Sequence, residues 1–123
     1  MNVALWILQG ILALMYLLAG GLKLIRSKEQ LGSQMHWVED FSSTTIKAIG
    51  VVEILGALGL ILPALTGILP WLTPLAGAGL ALDMLVASFV HLRRGEYSYV
   101  GMTVVLLVLA AVVAYGRFFI LPI

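Results

Sequence analysis

The sequence contains no cysteine. This excludes disulfide exchange, thiolate nucleophiles and cysteine-ligated metal clusters within the chain. It is also poor in charge. Lys, Arg, Asp and Glu make up 11% of its 123 residues, less than half the share usual in a soluble domain. The formal net charge is only +1, and no basic cluster is large enough to hold nucleic acid. There is no glycine-rich phosphate loop, no zinc-ligand spacing and no nucleophile elbow. His36 and His91 are too far apart for a local metal motif, although a folded chain could bring them to one face, and no metal is expected.

What the sequence has in abundance is apolar side chains, 62% of the total. Too few polar groups remain to cover a surface in water, so the expected solvent is a lipid bilayer. The length allows one domain. Four apolar runs, at 3–25, 45–62, 72–92 and 99–119, each approach the roughly 20 residues that cross a hydrocarbon core. Backbone groups in lipid must be bonded within their own segment, so each run is expected to be helical. The fold class is therefore all-α, a bundle of four transmembrane helices. Met1-Asn2 leads directly into apolar sequence without the basic stretch of a secretory signal, and the first run is read as a permanent span.

The connections differ in kind. Residues 26–44 are polar, with Trp37 and Phe41 among the charges, as befits an interfacial segment with a short amphipathic turn. Ser42-Ser43-Thr44-Thr45 offers N-caps for the second helix. Pro63 to Pro74 carries three prolines and no charge, as in a tight hairpin. Gly95 is a C-terminal stop for the third helix. Lys23, Arg26, Lys28, Lys47, Arg93 and Arg94 fall on one side of a four-span topology and Arg117 on the other. The positive-inside rule then puts the six in the cytoplasm and both termini outside the plasma membrane.

Polar residues within the spans are the candidates for function. Gln9, Ala13, Tyr16, Gly20 and Lys23 follow each other at steps of four and three, one face of the first helix. In lipid such a small and polar face turns inward. The second helix carries Gly50, Glu53, Gly56 and Gly59. A carboxyl at mid-span costs on the order of 3 kcal/mol, so Glu53 must be neutral, paired or facing water. Counting 1.5 Å per residue from Thr45 sets it about 12 Å deep. Gly79, Asp83, Ala87 and His91 form a ridge at steps of four on the third helix. Asp83 lies about two turns deeper than His91 and level with Glu53. Two carboxyls at one level are expected to share a proton or to enclose a polar ligand. The plainer alternatives are helix packing for Ala13 and Gly20, a structural ion pair for Glu53, and a neutral Asp83 bonded to Gln9 or Tyr16. Lys23 could reach inward to Glu53 or snorkel to the interface. A cluster of Lys23, Glu53 and His91 in the cytoplasmic half is expected.

Three stretches together resemble the DoxX-like family of small four-helix membrane proteins. They are Gly20-Gly21-Leu22-Lys23-Leu24, the second-helix run from Gly50 through Glu53 to Leu60, and Ala87-Ser88-Phe89-Val90-His91-Leu92-Arg93-Arg94-Gly95-Glu96. The resemblance covers nearly the whole chain, and Asp83 stands outside its pattern. It implies an accessory subunit of a membrane redox system, such as quinone-linked thiosulfate oxidation or oxidant defence. Distant relatives are similar to assembly chaperones of membrane receptors. Two readings of function follow. In the first, a quinone or other lipophilic molecule binds between the helices, hydrogen-bonded by Tyr16, Glu53, Asp83 and His91, with a membrane redox protein as partner. In the second, the chain is a non-enzymatic scaffold or assembly factor whose buried charges fix helix register. A third, weaker reading is an intramembrane acid–base enzyme with Glu53 or Asp83 as base. Whether the chain is an enzyme stays open at this point.

Overall fold

The computed structural model describes residues 2–32 and 41–120. Four of its helices are long and apolar enough to cross a membrane. They are α1 (Asn2–Ile25), α3 (Ser43–Thr66), α4 (Leu72–Arg93) and α5 (Tyr97–Tyr115), the last extended by a π-helical turn at Gly116–Ile120. A one-turn helix, α2 (Lys28–Gly32), follows α1 inside the polar connection. His36 and Trp37 lie outside the described residues.

Local chemistry sets the ends. Ser42 caps α3, its hydroxyl accepting from the Thr45 N–H at 3.1 Å. The second span was expected to stop at Leu62, before Pro63. It continues instead for one more turn to Thr66, with Pro63 inside it. The last turn of a helix loses little from a missing N–H when a glycine closes it. Gly67, in the left-handed conformation, does so by donating to the Pro63 carbonyl. At the end of α4, Gly95 has φ +75°. Its N–H donates to Leu92 O at 3.1 Å, and the Glu96 N–H donates to His91 O at 2.9 Å. This is the paired bonding of a Schellman stop, and it folds Glu96 back over His91.

Away from the helix ends, the outward faces are mostly apolar. On α1, Val3, Ile7, Ile11, Leu14 and Leu18 are all more than half exposed, as a lipid-facing stripe requires. The opposite face of Gln9, Ala13, Tyr16, Gly20 and Lys23 is buried in full. The core gathers Leu12, Ala13, Tyr16, Ala57, Leu60, Leu80, Met84, Ala110 and Val113 from all four spans.

The four long helices form two close pairs, α1 with α3 and α4 with α5. At the end remote from α2, the pairs are drawn together by small residues. A Cβ on Gly59 would meet Ala76 at 2.7 Å, and one on Gly116 would meet Leu5 at 3.1 Å. At the other end the pairs part around a cavity.

Candidate functional site

The site begins with a backbone crossing. A Cβ on Gly20 would stand 2.7 Å from the Gly50 carbonyl oxygen, and one on Gly50 would stand 2.8 Å from the Gly20 carbonyl oxygen. Helices α1 and α3 can touch there because neither residue has a side chain. One turn further along each helix stand Lys23 and Glu53. Lys23 Nζ donates to Glu53 Oε1 at 2.6 Å, with side chains only 7% and 4% exposed. The glycine contact therefore sets up the ion pair: any wider crossing would separate the two charges. Lys23 points inward to Glu53, not outward to the interface.

From α4, Asp83 approaches the pair. Its carboxyl lies beside that of Glu53, near enough for a hydrogen bond between them, and within the field of Lys23. Its Oδ2 is buried without a hydrogen-bond partner among the described residues, and so is the Tyr16 hydroxyl. Two buried polar atoms without partners, one on α1 and one on α4, are costly unless something else meets them. Both residues line the cavity.

The cavity has a volume of about 600 Å³ and runs between the two helix pairs, within the size range of small-molecule sites. Its walls are mostly apolar, with Met15, Val52, Leu82, Val86 and Leu106 among them. Its polar groups come from every span: Tyr16 and Lys23, Glu53, Asp83 and His91, and Tyr99 and Thr103. The whole α4 ridge of Gly79, Asp83, Ala87 and His91 lines it.

His91 closes one end. Its Nδ1 is 2.9 Å from Glu96 Oε1, its ring stacks on Tyr99 at 5.2 Å between centroids, and Arg94 Nε donates to the same Glu96 oxygen at 3.3 Å. The hydrogen bond from His91 holds the Glu96 carboxyl below its ordinary range, aided by the Arg94 charge against a smaller opposing effect of burial. Thus Lys23, Glu53 and His91 share one cavity, but His91 takes Glu96 as its partner and not Glu53.

Gln9 belongs elsewhere. Its amide donates to Leu60 O at 2.6 Å and accepts from Arg117 Nε at 2.7 Å, at the clamped end of the bundle. It does not line the cavity and is no partner of Asp83. Arg117, read from the sequence as a flanking charge, is 2% exposed. It also donates to Asn2 Oδ1 at 2.7 Å and lies 5.6 Å from the centre of the Trp6 ring.

Two participants escaped the sequence reading. Glu96 entered only within the Ala87 to Glu96 stretch of the resemblance, and Tyr99 only as the start of the fourth apolar run. The signal for Glu96 was present: a glycine stop at Gly95 returns the following residue to the one five places earlier, which is His91. Among the described residues, no three His, Asp or Glu side chains come together to hold a metal ion.

The sequence profile of the DoxX-like family matches residues 7–113. No curated protein and no solved structure matches the chain.

Proposed function

The chain belongs to the DoxX-like family, and on that premise we propose that it binds a lipophilic molecule with a hydrogen-bonding head group, of the quinone class, between its helix pairs. The observation that carries this reading is the pairing of an apolar cavity with buried, unpartnered polar atoms. Tyr16 Oη and Asp83 Oδ2 would serve one carbonyl or hydroxyl head group, while the apolar walls would hold its ring and the start of its tail. A quinone, when bound, supplies the redox chemistry. The residues of this chain orient the head group, keep it from water and hold a proton at the Glu53–Asp83 carboxyls, with Lys23 balancing one of the two charges. A partner in the membrane would exchange electrons with the ligand, and an accessory role in a redox assembly follows.

A scaffold would need only a packed core. The cavity at the level of the ion pair counts against that reading, since an apolar filling would hold register as well without opening about 600 Å³ of space. We further infer that the end carrying α2 and the α4–α5 turn faces the cytoplasm. Lys23, Arg26, Lys28, Lys47, Arg93 and Arg94 gather there, so both termini would lie outside the plasma membrane.

The test is mass spectrometry of lipid extracts from gently purified protein. A co-purifying quinone or related lipophile is expected in the parent and reduced in Tyr16→Phe and Asp83→Asn, which nearly preserve shape. Equal retention by both variants, at unchanged thermal stability, would show that the ligand is not held by these atoms.

A further inference from the structure

We propose that Glu96 and His91 form a proton port, carrying protons between the membrane surface and the Glu53–Asp83 carboxyls at the inner end of the cavity. It requires water to reach the cavity beside any bound molecule, and does not depend on that molecule being a quinone.

The backbone builds the port. The Schellman stop after α4 bonds the Glu96 N–H to the His91 carbonyl at 2.9 Å, and the same fold-back sets the Glu96 carboxylate 2.9 Å from His91 Nδ1. Glu96, which also lines the cavity and keeps 18% of its side chain exposed, thus links the imidazole to water. Stacking on Tyr99 at 5.2 Å fixes the ring plane. With Nδ1 engaged by Glu96, Nε2 is the ring nitrogen left to exchange with the cavity, which His91 lines together with Asp83, Glu53 and Lys23. His91 and Asp83 are eight residues apart on α4, about 12 Å by helical rise. The cavity between them, about 600 Å³ with mostly apolar walls and with Tyr99 and Thr103 in its lining, is roomy enough for a short chain of waters.

The charge arrangement gives the port something to serve. Two carboxyls, Glu53 and Asp83, stand beside one ammonium, that of Lys23. The set is closest to neutral with one proton on the carboxyl pair. The groups that face His91 are Glu96 and Arg94 from the turn, Tyr99 from α5, and across the cavity Lys23, Glu53 and Asp83. In one outward transfer, cavity water carries a proton from the carboxyl pair to Nε2. Nδ1 hands its own proton to the Glu96 carboxylate it is bonded to, and Glu96 releases it to bulk water. Inward transfer is the reverse, starting from a Glu96 protonated by bulk water. Return of the ring to its first tautomer completes the cycle. One proton enters, one arrives, and no residue of the port is changed.

A bland hydrogen bond between His91 and Glu96 would steady the turn and do nothing else, and hydrogen–deuterium exchange separates the two roles. The intact protein in lipid is transferred into deuterated buffer near neutral pH, and the carbonyl band of the protonated carboxyl is followed by infrared spectroscopy. The band is expected in the parent, to be lost in Asp83→Asn, and to shift on deuteration. In His91→Gln and in Glu96→Gln its intensity should persist while its exchange slows by about tenfold or more, the scale of a positioned acid–base group. Glu96 lies outside the spans, so its variant serves if His91→Gln fails to fold. Exchange at the parental rate in Glu96→Gln would overturn the port, as would absence of any protonated carboxyl band. Neither result bears on whether a quinone co-purifies.

Discussion

Replacing Lys23 by methionine removes the ammonium that Glu53 faces while keeping most of the stem that packs against Gly50. A side chain of similar length leaves little packing loss, so the cost is electrostatic. The Glu53 carboxylate is left 4% exposed with its counter-charge gone, and two outcomes are open to it. It can stay ionised, at several kcal/mol, or it can take a proton from water. For an ordinary glutamate at pH 7 the second route costs about 3.7 kcal/mol, 1.36 kcal/mol for each of the roughly 2.7 units above 4.3. The cheaper route sets the loss, so Lys23→Met should destabilise the bundle by about 3–4 kcal/mol at pH 7. The double variant Lys23→Met/Glu53→Leu removes both charges and should return to within about 1 kcal/mol of the parent. The assay is unfolding by sodium dodecyl sulfate titration in neutral detergent micelles, followed by circular dichroism at pH 7. A single variant within about 0.5 kcal/mol of the parent, the range of a surface substitution, would refute the reasoning. So would a double variant no more stable than the single.

Two further perturbations have opposite expected signs. Gly50→Ala places a Cβ 2.8 Å from the Gly20 carbonyl oxygen, about 0.6 Å short of the 3.4 Å of ordinary contact. It should cost about 1–2 kcal/mol, an overpacking penalty partly offset by the better helix propensity of alanine. Gly10→Ala meets nothing within 4 Å and should gain up to about 1 kcal/mol in the same titration. The Glu96 carboxyl is held below its ordinary value of 4.5 by the His91 hydrogen bond, so its contribution is present above that value and lost as pH falls through the lower folded one. The thermal midpoint of Glu96→Gln should accordingly lie below that of the parent at neutral pH and converge with it in acid. A gap that persists in acid would contradict the assignment.

The spans were legible because lipid leaves a helix no choice but to be long, apolar and internally bonded, and runs of that kind cannot hide in a sequence. The inward face of α1 was legible for the same reason: Gln9, Ala13, Tyr16, Gly20 and Lys23 break an otherwise apolar helix at helical spacing. The expectation that Lys23 and Glu53 lie close also followed, since a long lysine side chain can span the one to two turns between their levels. Partner choice did not follow, because it depends on crossing points that spacing alone leaves open. Gln9 and Tyr16 lie on one face of one helix, yet Gln9 meets Leu60 and Arg117 while Tyr16 faces the cavity. Arg117 was read only for its side of the membrane, and its burial did not follow, because a basic residue near a span end normally snorkels. The π-helical turn at Gly116–Ile120 turns it inward instead.

The clasp of Arg117 on Gln9 and Asn2 makes the bundle a lever. Gln9 and Lys23 are fourteen residues apart on α1, about 21 Å by helical rise. A rotation of about 5° between the helix pairs, pivoting at the clasp, would change the gap at Lys23 by about 1.8 Å over that arm. The same rotation would leave the Arg117 hydrogen bonds nearly unstretched, since they sit at the pivot. A guest that widens the cavity would therefore move the ends of α1 and α3 at the α2 side of the membrane and leave the opposite side still. Anything resting on the segment between those two helices would register the guest as a displacement.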